Sequence, residues 1–550
     1  VKLAIGPPID NGFYYDMELP RSLTDADLPE IEKRMRKIVA RDPQFFQAPL
    51  ARARALELFQ AWQQPYKVEL IEGIPDAEVS LYKQDRFIDL CAGPHVGRGG
   101  ICGHFKLLSV AGAYWRGDEH RQMLQRIYGT AWFRKEDLEA YLHRIEEAKR
   151  RDHRLLGRQL DLFLFHQFSP GSVFWTERGT TIFNALVGYV RALQHENFQE
   201  VRTPALYNKG LWEISGHWGK YRDNMFLVFD NETKEHDTSL KPMNCPSHYL
   251  LYLARKHSYR ELPLRFATFD TLHRNEVTGA LSGLTRVRQF HQDDCHVFLT
   301  ENQIADEVGF LAGLILAYYR TFGLTAAVRF ATRPEVRIGD DALWDRAEAA
   351  LRSALEATGM DYELKPGDGA FYGPKIDFDV TDSLGRLWQL GTIQLDYNAP
   401  ERFDLEYVGE DNAMHRPVVI HRAVSGSFER FIAILIEHFA GAFPVWLAPE
   451  QVRVLPITDE LTAVAQGVVR RMRDAGIRAH LDDRNETLNY RIRDGEVMKV
   501  PYMAVIGKRE ADADTVAVRV RGEGKKQEIV GVAEFVARVK GEAETRALAP

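Results

Sequence analysis

The most constraining feature of this sequence is an eleven-residue run of polar and titratable side chains, RVRQFHQDDCH, at residues 286–296. If this run is a β-strand, its side chains alternate between two faces. One face then carries Arg286, Arg288, Phe290, Gln292, Asp294 and His296. Cys295 points the opposite way, so we expect it to pack in the core. An exposed edge strand would show such a row without any function, whereas a strand lining a binding site for a charged ligand would need it.

Composition narrows the class of protein. The chain has 550 residues, of which 45% are hydrophobic and 27% are charged, a balance typical of a globular protein with several domains. Four cysteines are too few for a disulfide scaffold, which favours a reducing compartment and metal-binding or catalytic roles for any special cysteine. The net charge of −7 argues against a general polyanion binder but allows a local basic surface.

Neither a signal peptide nor a membrane span is predicted. The first residues, VKLAIGPPIDNGFYYD, lack a basic region followed by an apolar run. The most apolar stretch, residues 430–449, is interrupted by Glu437 and His438 and is typical of a buried helix. We therefore expect a cytoplasmic protein without membrane contact. Because the first residue is Val1, we also expect that the sequence begins inside a longer chain.

The pattern of apolar residues divides the chain into four parts. Residues 134–160 are charged and helical in period, and they predict a linker helix after a first domain at 1–133. Residues 161–447 contain many short β-type runs between helices, which predicts an antiparallel sheet flanked by helices. Residues 448–550 alternate strands and helices and predict a small α/β domain. The predicted fold class is thus α+β, with several domains.

Two groups of residues in the long middle part predict a ligand site. Arg274 and Glu276 are two residues apart, so we expect them on one face of a strand, and Arg286 follows after a loop rich in glycine and serine. Arg430 lies near the start of an apolar helix. Arginine suits phosphate or carboxylate ligands because its planar guanidinium group can donate two parallel hydrogen bonds. A surface ion pair between Glu429 and Arg430 is the plainer alternative.

Three further residues have the side chains of a zinc site: Cys245, His296 and His421. Three protein ligands leave the fourth position of a tetrahedral zinc ion open. Their spacing matches no short metal-binding motif, so a buried cysteine and two hydrogen-bonded core histidines remain the alternative.

These fragments together resemble a known family. LHRNE with its loop and RVRQF is similar to motif 2 of class II aminoacyl-tRNA synthetases, GSFERFIAIL to motif 3 with an abbreviated glycine pattern, and FQEVRTPAL to motif 1. KPMNCPSHY, GAFYGPKIDF, QLGTIQLDY and VIHRAVSGSFERF resemble the bacterial-type threonyl-tRNA synthetase family in particular. The resemblance runs from residue 1 to about residue 545 and implies a class II catalytic domain, an α/β anticodon-binding domain and part of an α+β editing domain.

The resemblance implies ATP-dependent ligation of L-threonine to tRNA(Thr) through a threonyl-adenylate. It implies one zinc ion held by Cys245, His296 and His421, and Mg²⁺ bound with ATP. Threonine and valine are nearly isosteric, and apolar pockets separate such pairs poorly. A metal that must bind the hydroxyl group would therefore select threonine over valine.

The resemblance also assigns roles to individual residues. Arg274 would bind the α-phosphate and the threonine carboxylate, and Arg286 and Arg430 would hold the ATP phosphates. Glu276 would line the pocket and the ribose or adenine site. The substrate-binding residues would be Met243, Gln292, Asp294, Tyr372, Lys375, Gln389, Gln394 and Ser427. Anticodon bases would contact Arg484, Asn485, Glu486 and Arg521, although these lie in segments that also pass as ordinary turns and edge strands. A homodimer follows from the motif 1 resemblance, and binding of mRNA in autoregulation is a further implied partnership.

The first 133 residues resemble the family's editing domain. DLCAGPHV supplies Cys91 and His95, and a structural pair is the alternative. Serine lacks only one methyl group of threonine, so it enters the synthetic site and its ester must be hydrolysed elsewhere. In the family the editing pair works with an His-x-x-x-His helix, which we expect before residue 1 together with a ubiquitin-like domain. We therefore expect this chain to hydrolyse seryl-tRNA poorly.

Three other interpretations stay open at this stage. A prolyl, seryl or histidyl relative would share the motifs but not the Cys/His/His set. A catalytically silent RNA-binding regulator would not need Arg274 or Arg430. A metal-binding scaffold would not need the separate phosphate-type arginines.

Overall fold

A computed structural model describes residues 1–194, 196–232 and 234–550 of the chain. The chain forms two compact units, residues 1–147 and 148–550, and the helix α4 (Lys135–Arg151) spans the boundary. The strands of the first unit are β1 (Lys2–Leu3), β2 (Pro8–Ile9), β3 (Gly12–Glu18), β4 (Phe45–Ala51), β5 (Glu78–Gln84), β6 (Phe87–Leu90), β7 (His104–Tyr114) and β8 (Met123–Trp132). Its helices are α1 (Leu28–Ala40), α2 (Arg52–Ala61) and α3 (Pro65–Glu72).

The first unit contains two antiparallel sheets. One has the strand order β1-β3-β8-β7, with β2 paired to β3, and the other has the order β4-β5-β6. The apolar side chain of Leu28 on α1 packs against Leu107 and Ile127 of the first sheet. The α+β architecture predicted for this part of the chain is confirmed.

The predicted linker at 134–160 is two helices rather than one. The helix α4 ends at Arg151 and α5 (His153–Gln159) starts anew, because the Asp152 carboxylate accepts the Arg154 backbone N–H (2.8 Å) and caps α5. The other helices up to residue 447 are α6 (Glu177–Gln194), α7 (Lys209–Ser215), α8 (His217–Lys220), α9 (Cys245–Leu253), α10 (Ile304–Thr321), α11 (Asp341–Ala357), α12 (Asn398–Arg402) and α13 (Phe428–His438).

The strands of this part are β9 (Phe163–Phe165), β10 (Val173–Trp175), β11 (Gln199–Glu200), β12 (Leu206–Asn208), β13 (Leu227–Val228), β14 (Thr238–Leu240), β15 (Leu264–Thr268), β16 (Thr271–His273), β17 (Gln289–His291), β18 (Asp294–Leu299), β19 (Thr325–Ala331), β20 (Tyr362–Lys365), β21 (Lys375–Thr381), β22 (Leu387–Asp396), β23 (Tyr407–Val408), β24 (Met414–His415) and β25 (Val418–Ala423). Eight of them form one sheet, in the order β11-β15-β18-β25-β22-β21-β19-β20. The six central strands run antiparallel, and the outermost strand at each edge pairs parallel with its neighbour. Helices α6, α10 and α13 bury their apolar residues in the same core cluster as one face of this sheet, which confirms the predicted fold class.

The register of this sheet aligns four polar residues from four strands. His296 on β18 lies opposite His421 on β25, His421 opposite Gln394 on β22, and Gln394 opposite Lys375 on β21. Directly opposed residues in antiparallel strands share a face. Residues far apart in sequence therefore form one row on the face that the large core leaves uncovered.

The prediction of one continuous strand at 286–296 is wrong, because the run is divided between two sheets. Residues 289–291 pair with β16 in a separate two-stranded sheet, whereas Asp294 begins β18 of the large sheet. Asp293 fixes the break, because its buried carboxylate accepts hydrogen bonds from Arg422 (2.8 Å) and from two backbone N–H groups of the 424–425 turn (3.0 Å each). Alternation does hold within β18, where Cys295 faces the core as expected.

The C-terminal part is a five-stranded sheet with helices. Its strands are β26 (Val452–Pro456), β27 (Ala479–Leu481), β28 (Tyr502–Ile506), β29 (Thr515–Val520) and β30 (Glu528–Gly531). Its helices are α14 (Thr462–Asp474), α15 (Leu488–Val497), α16 (Lys508–Ala513) and α17 (Val532–Thr545). The order is β27-β26-β28-β29-β30, with the first three strands parallel and the rest antiparallel, so the predicted α/β domain is confirmed.

Two partly buried arginines join this domain to the segment before it. Arg478 donates to the carbonyl oxygens of Trp446 (2.6 Å) and Ala448 (3.0 Å). Arg521 donates to those of Phe443 and Lys499 (both 2.8 Å). Burial lowers the pKa of each guanidinium group to about 10, so both remain cations at neutral pH and satisfy carbonyl groups at the junction.

In the described ranges, every helix is too short or too polar to pass through a bilayer.

The Asp293–Arg422 pair gives a test of this architecture. Both side chains are fully buried, and removing one partner of a buried pair costs about 3–5 kcal/mol because the other charge is left unpaired. We expect Arg422→Ala to lower the melting temperature of the second unit strongly in a thermal denaturation measurement. Arg471→Ala, which breaks the exposed pair with Asp514 (2.6 Å), is the matched control and should change it little. Equal melting temperatures for the two variants would contradict this account.

Candidate active site and metal centre

Cys245, His296 and His421 come together at the row of polar residues on the sheet. One ligand atom from each of the three lies within 4.8 Å of the others. The sheet register places the two histidines side by side, and Cys245 is the first residue of α9, which packs against the same face. The three residues predicted as metal ligands are thus brought together.

The surroundings of this cluster fit a metal ion. His296 is fully buried, and among the described residues its Nε2 has no hydrogen-bond partner. Burial holds the pKa of His296 well below its usual value, which keeps the imidazole neutral as a metal ligand requires. Burial also raises the pKa of the Cys245 thiol, so its thiolate needs a neighbouring cation to form here.

Other side chains orient the two histidines. His296 Nδ1 lies 2.8 Å from His248 Nδ1, which leaves Nε2 directed away from that contact. His421 Nε2 lies 3.0 Å from Asp396 Oδ2 and 3.3 Å from the Tyr249 hydroxyl. Such outer contacts fix the ring orientation of metal-binding histidines.

A cavity of about 310 Å³ opens directly over the cluster. Ten of the residues predicted for the metal and substrate sites line it: Met243, Cys245, Arg274, Gln292, Asp294, Tyr372, Lys375, Gln389, Gln394 and His421. Hydrogen bonds hold several of them in place: Gln292 donates to the Gly426 carbonyl (2.7 Å), Tyr372 donates to Gln394 (2.7 Å), and Asn244 donates to Asp294 (3.2 Å). A polar cavity with a potential metal ligand set in its wall is a binding site for a small polar molecule.

Arginines supply positive charge at and beside the cavity. Arg274 lies on the Phe290 ring, 5.0 Å from its centroid, and donates to the Pro242 carbonyl (3.3 Å). Burial lowers the pKa of Arg430, and the nearby Arg286 lowers it further. Within the described ranges Arg430 Nε has no hydrogen-bond partner. Two like charges held close together, one with an unpartnered nitrogen, are arranged for a polyanion.

The surroundings of Glu429, Arg274 and Glu276 differ from the sequence-based expectations in two ways. Glu429 does not form a surface ion pair with Arg430, because it is fully buried and accepts hydrogen bonds from His291 Nδ1 (2.8 Å) and the His291 backbone (2.9 Å). Arg274 and Glu276 do not lie on a strand, because β16 ends at His273 and the Glu276 N–H bonds the Arg274 carbonyl (2.9 Å) in a tight turn. Glu276 instead pairs with Arg286 (2.8 Å).

Ser427 has a local structural role at the start of α13. It is the N-cap residue, and its hydroxyl accepts the backbone N–H of Arg430 (3.2 Å). Glu276, Arg286, Ser427 and Arg430 do not line the 310 Å³ cavity themselves.

The first unit holds the predicted editing pair. His95 Nε2 lies 3.2 Å from Cys91 Sγ, and the His95 ring packs between Phe45 and Tyr82. Asp89 accompanies them, hydrogen-bonded by the Tyr15 hydroxyl and paired with the buried Lys67 (2.7 Å). Asp89, Tyr15 and Lys67 were not predicted. The DLC sequence was one available signal, because Asp89 and Cys91 are two residues apart.

The predicted anticodon residues lie in the C-terminal domain. Arg484 is half-exposed and is held by Asp482 (2.7 Å) and Asp494 (2.9 Å), and Asn485 and Glu486 follow it on the exposed surface. Arg521 donates to backbone carbonyls at the domain junction, as described above. Arg521 therefore lies in a different environment from Arg484, Asn485 and Glu486.

Sequence reasoning missed several residues around the cavity. Asp396 and His248 contact the two cluster histidines, and Thr392 lines the cavity wall. A period-2 interpretation of TIQLDY would have placed Thr392, Gln394 and Asp396 on one face. His248, one helical turn after Cys245, was available from helix spacing.

Comparison with known proteins assigns this site to a class. Residues 226–439, which include Cys245, His296 and His421, match the class II core domain of tRNA synthetases for G, H, P, S and T. Residues 451–542 match an anticodon binding domain, and residues 79–128 match the second additional domain of threonyl and alanyl tRNA synthetases. The fold and site therefore define a class II aminoacyl-tRNA synthetase.

Individual relatives narrow the class further. The chain is 53% identical to a threonine–tRNA ligase of Myxococcus xanthus, over 98% of this chain and 85% of the relative. It is 49% identical to a threonine–tRNA ligase of Thermotoga maritima, over 100% and 85% of the two chains. A solved RNA binding domain of threonyl-tRNA synthetase from Cryptosporidium parvum superposes with a TM-score of 0.69 at 42% identity, covering 71% of this chain and 98% of that one. The chain belongs to the threonine–tRNA ligase family.

The arginine pair gives a test that does not depend on catalysis. Magnesium pyrophosphate is expected to raise the melting temperature of the second unit by about 2–4 °C, the shift that roughly 1 kcal/mol of binding free energy produces in a large domain. Arg430→Ala should abolish the shift, because it removes the cation that Arg286 repels and whose Nε has no partner among the described residues. Arg538→Ala, which breaks a pair with Glu528 in the C-terminal domain (3.0 Å), should retain it. A full shift in Arg430→Ala would show that the pyrophosphate binds elsewhere.

Proposed function

We propose that this member of the threonine–tRNA ligase family activates L-threonine with ATP and transfers it to tRNA(Thr), using zinc at Cys245, His296 and His421 to recognise the amino acid. The observation that carries the proposal is that Cys245 and His421 line the same cavity as Arg274. A metal centre without catalysis would not need that arginine. A phosphate site without amino-acid recognition would not need the buried ligand set.

The zinc ion would act as a recognition group with an open coordination position for the threonine amino and hydroxyl groups. Cys245 would supply a thiolate, and His296 would supply the Nε2 that has no partner among the described residues. Asp396 and the Tyr249 hydroxyl already engage His421 Nε2, so Nδ1 is the nitrogen left to that ligand. Valine lacks a hydroxyl, and a site built for polar contacts rejects such an analogue far better than an apolar pocket does.

The protein groups around the substrate would orient it. Asp294 lies 4.0 Å from His296 Nδ1 and faces the cavity, where its carboxylate can accept the hydroxyl or amino hydrogens of threonine. Tyr372, Lys375 and Gln394 extend the row along the sheet, and Lys375 remains close to Asp377 (2.7 Å). Met243, Gln292 and Gln389 would complete the walls for the amino acid, the adenosine and the tRNA end. Holding reactants in this way supplies much of the rate acceleration in such reactions.

Arginines would neutralise the triphosphate. Arg274 would contact the α-phosphate and the threonine carboxylate, while Arg286 and Arg430 would hold the outer phosphates with Mg²⁺. Glu276 and Ser427 would act indirectly, since Glu276 pairs with Arg286 and Ser427 caps the helix that carries Arg430. The threonine carboxylate would attack the α-phosphorus and pyrophosphate would leave, which gives the threonyl-adenylate. A hydroxyl of the tRNA would then attack the carbonyl carbon of that intermediate, so that the threonyl ester forms and AMP and a proton are released.

Other parts of the predicted function remain predictions. Recognition of the anticodon would rest on Arg484, Asn485 and Glu486, because Arg521 already donates to two backbone carbonyls. Association into a homodimer, binding of mRNA, a cytoplasmic location and the domain boundaries at 133, 160 and 447 are also predictions. The contact between Cys91 and His95 supports a hydrolytic site in the first unit, and the expected weak clearance of seryl-tRNA stays a prediction.

Metal content tests the ligand set. The purified protein is expected to hold about one zinc ion per chain by elemental analysis, and Cys245→Ser should lose most of it because the soft thiolate ligand is gone. Cys295→Ser is the matched control, since Cys295 adjoins His296 but faces the core. Zinc loss in Cys295→Ser with retention in Cys245→Ser would contradict the ligand assignment.

Amino-acid-dependent ATP–pyrophosphate exchange tests the function. We expect strong exchange with threonine, weaker exchange with serine and background with valine, since only the hydroxyl amino acids can complete the zinc shell. A serine rate lower by roughly tenfold or more fits one lost methyl group. Removal of zinc by a chelator should abolish exchange, and addition of zinc should restore it. Exchange with proline instead would keep the class but overturn the specificity.

A further inference from the structure

The loop at 277–287, which carries Arg286, is anchored to the protein core at one point. Leu284 is completely buried in the main core cluster, whereas the segment 276–282 on its N-terminal side is partly or fully exposed. The backbone N–H of Leu284 donates to His153 Nε2 at 3.1 Å. His153 is the first residue of α5, more than a hundred positions earlier in the chain.

The hydrogen bonds of His153 define its tautomer. Because Nε2 accepts the Leu284 N–H, Nε2 carries no proton and Nδ1 must carry it. Nδ1 lies 2.6 Å from Glu437 Oε1, so it donates to that carboxylate, which also accepts the His153 backbone N–H (3.0 Å). Arg386 pairs with the other oxygen of Glu437. The imidazole is thus held in one tautomer and one orientation.

Gly283 shows how closely the loop approaches this imidazole. Its φ of 49° lies in the left-handed region, and a Cβ at this position would overlap His153 Nε2. Glycine therefore permits the contact that the Leu284 N–H then completes.

This arrangement connects the loop that carries Arg286 with the helix that carries Arg430. Arg286 follows Leu284 by two residues, and Arg430 lies on α13, the same helix that carries Glu437. The chain of contacts Leu284–His153–Glu437 therefore sets where the loop stands relative to α13. The like charges of Arg286 and Arg430 oppose their approach, and the contact of Leu284 with His153 holds the loop in place.

We propose that His153 is a positioning residue for ATP, which holds the 277–287 loop so that Arg286 remains opposite Arg430. The inference rests on the phosphate role proposed above for these two arginines. A metal role for Asp152, His153 and Glu437, whose ligand atoms also lie within 4.8 Å of one another, is not supported because both ring nitrogens of His153 already have partners.

Two amide substitutions separate positioning from packing. In His153→Gln the amide oxygen reaches near the Nε2 position and can accept the Leu284 N–H. In His153→Asn the amide lies near the Nδ1 position, so the Glu437 contact is kept and the Leu284 N–H is left unpaired. An N–H that is buried without an acceptor favours a displaced loop in the free protein. Returning the loop to its position would then draw on the binding free energy of Mg–ATP and weaken its affinity about tenfold.

We expect calorimetry without threonine to show this tenfold loss of Mg–ATP affinity for His153→Asn and less than about a threefold loss for His153→Gln. The KM for threonine in the exchange assay should stay within about twofold in both, because the metal cluster is untouched. His257→Asn is the matched control: His257 is an equally buried histidine with its Nδ1 3.1 Å from Glu261. It should lower the melting temperature without changing Mg–ATP affinity.

Several outcomes would overturn the inference. Equal losses of Mg–ATP affinity in His153→Asn and His153→Gln would show that the imidazole only fills space. A parallel rise in the KM for threonine would show general disruption. If His153→Asn fails to fold, Gly283→Ala tests the same contact from the loop side, and unchanged Mg–ATP affinity in that variant would overturn the inference. Normal Mg–ATP binding by the unmodified protein without threonine-dependent exchange would instead overturn the proposed function alone.

Discussion

The direct pairing of His296 with His421 across β18 and β25 is the constraint on which the site depends. A shift of one residue in the register of either strand would send one histidine into the apolar core and bring Cys295 or Arg422 to the cavity face. The Asp293–Arg422 pair lies on the other side of the same strands and resists such a shift. Buried charge on one face of the sheet thereby secures the ligand geometry on the other.

The same sheet explains why the site combines two kinds of chemistry. Its row of polar residues leads from the cluster histidines through Gln394 to Lys375, while the loop and helix that carry Arg286 and Arg430 stand beside it. The buried neutral imidazole of His296 and the Cys245 thiol lie in the row, and Arg430, whose Nε has no hydrogen-bond partner among the described residues, stands beside it. A ligand that satisfies both must itself combine a small polar part with a polyanion, as threonine and ATP do together.

Much of this could be predicted from the sequence, for identifiable reasons. The ligand residues and most of the cavity lining came from quoted motifs, and strand alternation placed Cys295 correctly in the core. Alternation failed at Gln292–Asp293, because a tertiary contact with Arg422 breaks the strand and no local signal marks it. The contact of His153 with Leu284 joins residues 131 positions apart, so it depends on the folded topology. The role of Arg521 was equally out of reach of the sequence, because only the structure reveals that its guanidinium group donates to the carbonyl groups of Phe443 and Lys499.

The partly buried arginines at the C-terminal junction have a consequence for the modularity of the chain. Arg478 and Arg521 belong to the last domain, yet they bind carbonyl groups of residues 443–448, before the first strand of that domain. The unit that can be exchanged between homologues therefore includes the peptide at 443–451 as well as the sheet that follows it. With a recombination point at the apparent boundary, the two cations and their acceptors would come from different parent proteins. A point upstream of residue 443 would instead transfer the arginines and the acceptor segment together.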